Sequence, residues 1–593
     1  MTRTRFADNL SRRLNLLPGE LPLLLAAAGA LFFIGSGNVL FNNVAETTFL
    51  KRFGVHYLPA MILVNALATV GVMALVGRWL SRSSGQAVLV RVLVLCSLAA
   101  AGVRMLVPLD LWLLYPVIYL FKALFELLLT FLFWNLANQI FTTRQSKRFF
   151  PLMVPAGILG GLTGGYATPL LARLVSVDGL LWVYAGSVLV AALLVRRTAR
   201  LAQGHQAEPE FCQLESKSGF FGSLKRAWPV LKASSLVRGL VLLTLIPNMI
   251  VPILNYQVSF AIDMSHGSEA SMVAFFGFYR GAQFTLALLV SLFASRIYRR
   301  FGVAGGLLVH PVNYLLIFVA FAMQFDLVTA VYAGISSGVI RRAIQTPARA
   351  ALVGLFPNQQ RVLLMPLLRG VVVRLGVLVG AVFVIVCQSG YFAVCRFPLH
   401  PQNLAPFGFL FALVWLWVGL RMKRHYPELV LETLGWNGTQ RGRLRLASAE
   451  AARLRTEVTR GRTRLSQAQA LLRHFHWDEA RELASLLRQQ AHEAGLAVLG
   501  RLEESDPSGR IRTIRQAIVH GDGRHRANAI EALEQLAPHG VATGLVQCLD
   551  GQIQGGWHHR HDHLLDELCA DGDPEIARLA ARLQVEEKRA ANL

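Results

Sequence analysis

Apolar runs close to the ~20 residues that cross a bilayer as one helix recur through the first 420 positions, and few architectures admit that pattern. Twelve of them lie at 20–49, 57–80, 86–108, 111–141, 148–174, 178–196, 234–262, 271–296, 302–324, 326–351, 363–391 and 404–422. Inside lipid every backbone amide must find its partner within the protein, which continuous helices achieve. The expected fold is therefore all-α: a polytopic membrane protein of about twelve transmembrane helices. Composition agrees, with 54% of the 593 residues hydrophobic and 16% charged, against roughly 25% charged in a soluble chain.

The distribution of Lys and Arg sets the expected orientation. Arg78 and Arg82 follow the second run, Arg144, Lys147 and Arg148 the fourth, and Arg196, Arg197 and Arg200 the sixth. Arg296, Arg299 and Arg300 follow the eighth, Arg361 the tenth, and Arg421, Lys423 and Arg424 the twelfth. The opposite ends carry mainly Asp110, Asp178, Asp263 and Asp326, with Lys51, Arg52 and Arg396 as exceptions. Even-numbered ends are thus expected in the cytoplasm, together with both termini. The basic segment 1–19 lacks a small-residue cleavage site and is expected to stay as a cytoplasmic leader. The net charge of +24 follows from this topology. No zinc spacing, RNP pattern or basic zipper accompanies it, so no nucleic-acid partner is expected.

A polar connection at 197–233 divides the bundle into an N-terminal half, 20–196, and a C-terminal half, 234–424, a six-plus-six plan. A sparse internal echo supports the division. At a shift of 215 residues Gln145 matches Gln360, Pro151-Leu152 matches Pro366-Leu367, Gly161 matches Gly376 and Gly165 matches Gly380, as a repeat of six-helix halves would leave. Residues 425–593 are charged and helix-periodic. Two units there, "GDGRHRANAIEALEQL" (521–536) and "GDPEIARLAARLQ" (572–584), resemble each other, and stacked helical pairs of the HEAT type are expected.

Enzyme motifs are missing. There is no GxxxxGK[ST] loop, GxSxG elbow or HExxH, so neither an ATP-hydrolysing motor nor any other catalysis is expected, and no cofactor. Six cysteines form no CxxC pair. "HHRHDH", with His558, His559, His561 and His563, is better read as a solvated loop than as a metal site.

Polar residues within the spans carry the functional signal, because such groups are costly in hydrocarbon and face a cavity or one another. In the fourth span Lys122 and Glu126 lie four apart, continued by Thr130, Trp134 and Asn138; Glu126 is expected to pair with Lys122 and set its geometry, or to carry a coupling proton. The tenth span holds Arg341, Arg342, Gln345 and Arg349, with Pro347 interrupting its helix. The eleventh holds Arg369 and Arg374, and the eighth Arg280 beside Gln283. Deep carboxylates are few: Glu126, and Glu46 near the end of the first span. Cations in such excess point to a cavity for an anionic solute, since guanidinium forks suit phosphate and carboxylate oxygens. Asn38 and Asn42 in the first span, and Asn248 and Asn255 in the seventh, where Pro247 and Pro252 are expected to break the helix, would orient that solute.

"FWNLANQIFTTRQSKRFFPLMVPAGILGG", from residue 133, resembles a region of the bacterial and plastid ATP:ADP antiporter (nucleotide transporter) family, through Trp134, Ala137, Asn138, Lys147, Arg148, Phe149, Pro151 and Leu152. "RRAIQTPARAALVGLFPNQQR" is similar to the matching region of the second half. Gln145-Ser146 stands where an acidic residue commonly precedes the family's Ala-Lys-Arg, and Phe150 replaces its tyrosine. The resemblance implies a six-plus-six, major-facilitator-like bundle acting as a secondary transporter in a bacterial inner membrane, exchanging a nucleotide or another phosphorylated solute by alternating access. The alternative is a non-transporting membrane scaffold or sensor whose repeat domain docks a protein partner.

Overall fold

The computed structural model describes residues 20–80, 82–141, 143–202, 235–354, 367–388, 400–426, 430–431, 434–436, 444, 446–475, 477–521, 523–538, 540–551 and 564–591. These are helical with no strand, and the chain divides at Met422/Lys423 into two compact units.

The first unit is the bundle. Its N-terminal half comprises α1 (Glu20–Thr48), α2 (Leu58–Leu80), α3 (Gly85–Leu106), α4 (Leu114–Ile140), α5 (Thr143–Val175) and α6 (Leu180–Ala202). The C-terminal half comprises α7 (Ser235–Ser265), α8 (Glu269–Met323), α9 (Leu327–Ile340), α10 (Thr346–Gly354), α11 (Val373–Gln388) and α12 (Ala405–Arg424). Ten stretches among the described residues are long and apolar enough to cross a membrane. Two of them, Glu269–Ala294 and Gly305–Met323, belong to the continuous α8. Another, Glu20–Leu80, holds both α1 and α2. Helix α5 is not among the ten. With α1 and α2 counted apart and α5 included, helix covers the twelve expected stretches, but the eighth and ninth, expected as separate spans, run together in α8.

Short polar caps start several helices: Ser84 accepts from Ala87 N at 3.3 Å, Ser268 from Ser271 N at 3.3 Å, and Asp326 from Thr329 N at 2.8 Å. Each satisfies an amide that the first helical turn leaves unpaired. Between α1 and α2 the chain turns through a π-helical segment, Phe49–Gly54, and Gly54 takes the left-handed φ of 117° that its missing Cβ allows. Phe41 of α1 stacks on Tyr184 of α6 at 4.6 Å and on Phe125 of α4 at 5.7 Å, centring the N-terminal half.

The halves meet along two seams, α2 with α11 and α5 with α8. The second is backbone against backbone. A Cβ at Gly165 would stand 2.7 Å from Gly281 N, and one at Gly277 would stand 2.8 Å from Gly165 O. Within each half a further glycine pair seats one helix on another. A Cβ at Gly160 or Gly164 would meet Phe32 O or Ser36 O of α1 at 2.1 and 2.6 Å. One at Gly376 or Gly380 would meet Leu245 O or Met249 O of α7 at 2.7 and 2.2 Å. The packing equivalents of Gly376 and Gly380 are therefore Gly160 and Gly164, not Gly161 and Gly165 as the 215-residue echo had it. Adjacent Gly-Gly pairs leave sequence register ambiguous by one residue, and Gly161 and Gly165 face α8 instead.

Three other expectations are corrected. Pro247 and Pro252 lie inside α7 without breaking it. The carbonyl that Pro247 leaves without an amide, Leu243 O four residues earlier, accepts from Arg349 Nη2 at 3.3 Å, which re-satisfies the helix from outside. Pro347 does not interrupt its span either. A π-helical turn, Arg341–Gln345, joins α9 to α10, with Thr346 N donating to Arg341 O. The fifth crossing starts at Thr143 rather than 148, so Lys147, Arg148 and Pro151 belong to its opening turns; their side chains lie outside the described residues.

The second unit contains α13 (Ser448–His474), α14 (Asp478–Glu504), α15 (Arg510–His520), α16 (Gly523–Leu536), α17 (Ala542–Asp550), α18 (Leu564–Cys569) and α19 (Pro574–Ala591). Leu471, Leu483, Leu487, Leu568, Ile576 and Leu583 are among its buried core residues. The "HHRHDH" segment and Arg396 lie outside the described residues.

Candidate functional site

The site is built from α1, α4, α8 and the π-turn after α9. Helix α4 presents Glu126, Thr130 and Asn138 as exposed residues, with Lys122 and Trp134 half-buried on the same four-residue repeat. A membrane-spanning helix that packs against α1, α2 and α3 cannot turn such a stripe to lipid, so it lines a water-accessible space. The π-turn of the other half presents Arg341 and Arg342, also exposed. The two faces lie close together: Arg342 is within electrostatic range of Glu126, Arg280 and Arg341. Its guanidinium lies 4.4 Å from the Phe284 ring centroid, and a Cβ at Gly161 would stand 2.6 Å from Cζ of the same ring.

Glu46 is the hub. Its Oε1 accepts from Lys122 Nζ of the same half, and its Oε2 from Arg280 Nη2 of the other half. Arg280 also donates through Nη1 to Asn43 Oδ1, and Asn43 Nδ2 donates to Thr168 Oγ1 at 2.8 Å. Aromatic faces pack on the cations, with Lys122 Nζ 4.3 Å from the Tyr119 centroid and Arg280 5.2 Å from that of Phe276. The expected Lys122–Glu126 pair is replaced by this arrangement. Glu126 Oε2 instead accepts from Asn42 Nδ2 at 3.0 Å, and the other amide atom, Asn42 Oδ1, is buried with no hydrogen-bond partner. In this cluster Lys122, Arg280, Arg341 and Arg342 face Glu46 and Glu126, so positive charge exceeds negative.

Not every expected residue reaches the site. Asn38 is buried in α1. Asn248 donates to Thr244 O of its own helix at 2.6 Å and packs its Cβ against Gly376. Asn255, in contrast, is exposed. Six residues beyond the matched positions Ser36 and Met249 stand Asn42 and Asn255, so these two amides occupy equivalent places in the two halves. Arg369 lies on the π-turn Leu367–Val372, and its side chain is outside the described residues. Trp134 packs edge-on against Phe150 at 5.3 Å, and Asn138 is exposed. Asn43 and Glu46 carry more of the network than the sequence reading assigned them. The signal for both was available: a carboxylate and an amide three residues apart in an apolar helix.

Towards one end of the bundle the halves are clamped by charge. Lys51 pairs with Asp263 at 2.7 Å. Arg52 grips Glu269 in a fork, Nε and Nη2 each 2.6 Å from a carboxylate oxygen, and reaches Asp178 at 3.1 Å. These links tie the end of α1 to α7, to α8 and to the α5–α6 connection. They also explain the two exceptions in the charge count, since Lys51 and Arg52 are neutralised in place.

Two six-helix halves, joined along α2–α11 and α5–α8 with a cationic face between them, make an all-α, polytopic integral membrane protein. Residues 93–358 match the family model of the TLC ATP/ADP transporter, from within α3 to just beyond α10; the stretch that opens the resemblance, at 133–165, lies wholly inside. Among solved structures the nucleoside transporter NupG is similar, with a TM-score of 0.50 at 16% identity over 69% of this chain and 100% of that one. A D-xylose-proton symporter gives 0.47 at 12% over 68% and 97%, and a bacterial homologue of the iron transporter ferroportin gives 0.47 at 15% over 68% and 98%. At these identities the NupG likeness is one of fold. Among curated proteins none matches the sequence.

Proposed function

We propose that the protein exchanges a nucleotide of the ATP/ADP kind across a bacterial inner membrane by alternating access, with both termini in the cytoplasm. The observation that carries this reading is the excess of positive over negative charge between the halves among the described residues: Arg341 and Arg342, both exposed, beside Lys122 and Arg280, which share Glu46. Charge unpaired within a membrane protein is costly, and a polyphosphate offers the oxygens that two adjacent guanidinium forks can bind bidentately. Asn42 Oδ1 and the Asn255 amide supply hydrogen-bonding groups for the rest of the solute. The match of residues 93–358 to the ATP/ADP transporter family supports the choice of a nucleotide among anions. The test is uptake of labelled ATP by proteoliposomes loaded with ADP, with and without Arg341→Ala. Uptake absent for every nucleotide, with sugar phosphates carried instead, would overturn the nucleotide assignment.

One observation favours a second substrate class. A groove of about 350 Å³ lined by Leu286, Val290, Val331, Tyr332, Val339 and Ile340, among others, runs between α8 and α9 to the residue before Arg341. An anion with an apolar tail, such as a lysophospholipid, would fill the groove and present its phosphate to the arginines; competition of such a lipid with ATP uptake measures it. The second unit, built of antiparallel helices, is read as a HEAT-like module for a protein partner. Truncation after Arg424 is expected to leave transport by the bundle intact.

A further inference from the structure

The Glu46 carboxylate spends one oxygen on each half of the bundle, Oε1 on Lys122 and Oε2 on Arg280. A phosphate approaching from Arg341 and Arg342 meets Lys122 and Arg280 as the next cations of the cluster, and both are already taken. Their side chains are only 11% and 14% exposed, so there is little room for them to hold Glu46 and a second anion together. Asn43–Thr168 and the Lys51 and Arg52 clamp pin α1 on either side of Glu46, so it is the two cations that would swing from Glu46 to an incoming anion.

We propose that Glu46 is the carrier's own surrogate anion: it occupies Lys122 and Arg280 in the empty protein and is displaced when the phosphate groups of the substrate bind. This deepens the transport reading and rests on it. Two consequences follow from the competition. Substrate affinity in the wild-type protein is set below what the cations alone would give, because each binding event must first separate Glu46 from them. The empty protein, in turn, has no unpaired charge at Lys122 and Arg280, so it is able to change conformation without cargo. Removing the carboxylate strengthens binding and strands the empty form. Glu126 does not share the role, since it is held by Asn42 rather than by either cation.

The experiment is calorimetric titration of the purified full chain with ATP and with inorganic pyrophosphate, comparing wild type, Glu46→Gln and Glu46→Asp. Glu46→Asp keeps the charge but is one methylene too short to span both cations, and it decides the matter where Glu46→Gln does not fold. Expected is binding tighter by about tenfold for both ligands in Glu46→Gln, a charge-pair effect at close range, with Glu46→Asp in between. In proteoliposomes net release into ligand-free buffer, measured as a fraction of the same variant's ATP/ADP exchange, falls in Glu46→Gln relative to wild type. Wild type that binds ATP and pyrophosphate, with variants that bind no tighter, overturns the inference and leaves the transport reading standing. Wild type that binds neither ligand overturns both.

Discussion

Replacing Gly160 by alanine tests the close seating of α5 on α1, which positions Asn43 and Thr168 for the central network. The new Cβ would lie 2.1 Å from Phe32 O and 2.9 Å from Phe32 Cα and C, all backbone atoms that no rotamer change can move. Ordinary contact begins near 3.4 Å, so α5 must withdraw by about 1.3 Å along that line. A rigid shift of that size carries the 2.8 Å Asn43–Thr168 hydrogen bond beyond reach. Overpacking of a close interface costs about 1–3 kcal/mol, and a lost interhelical hydrogen bond adds about 0.6 kcal/mol. For a six-helix half the sum corresponds to melting lower by roughly 5–10 °C. The assay is thermal unfolding of the full chain in detergent, with Gly102→Ala in α3 as reference. Nothing lies within 4 Å of a Cβ at Gly102, and a helical Gly→Ala change without strain stabilises by about 0.4–1 kcal/mol. Gly160→Ala melting within a degree of Gly102→Ala would refute the close approach.

Two further outcomes are expected. Arg349→Ala removes a donor from Leu243 O and is expected to destabilise the bundle by about 1–2 kcal/mol; adding Pro247→Ala, which restores the helix's own amide, recovers part of that loss, and strict additivity in the double-mutant cycle would count against the compensation. In the second unit, burial alone would raise the Asp506 carboxyl, but the Ser508 hydroxyl, Ile511 N–H and Arg510 outweigh it and hold it below its ordinary 3.8. Its folded value is depressed, so its stabilisation is full above about pH 4 and is lost as pH falls through the folded value. Hydrogen exchange over 506–515 in the full chain should accelerate below that point in wild type, while Asp506→Asn should exchange fast already at pH 6.

The crossings were legible in the sequence because lipid leaves the backbone few options, and runs of twenty apolar residues announce the solution. The α4 stripe was legible for a related reason: polar residues at four-residue spacing in a greasy helix have to face water or a partner. Pairing was not legible. Lys122 and Glu126 are four apart on one helix, and local spacing favours joining them, yet Glu46 approaches from α1 and takes the lysine. Likewise sequence shows that Pro247 removes a hydrogen bond; it does not show that a guanidinium 102 residues later replaces it. The repeat was found one residue out of register for want of the helix axis that each glycine faces.

The α5–α8 seam has a mechanical meaning. Where Gly165 meets Gly277 and Gly281, backbone stands against backbone, with the side chains of Tyr166, Thr168 and Pro169 beside the contact. Such a junction holds the halves at a close, fixed separation. What joins them elsewhere is charge, in the rim contacts of Lys51 and Arg52 and in the central Glu46–Arg280 pair, so on the transport reading the ease of moving one half over the other becomes a property of those charges and of the ionic strength around them.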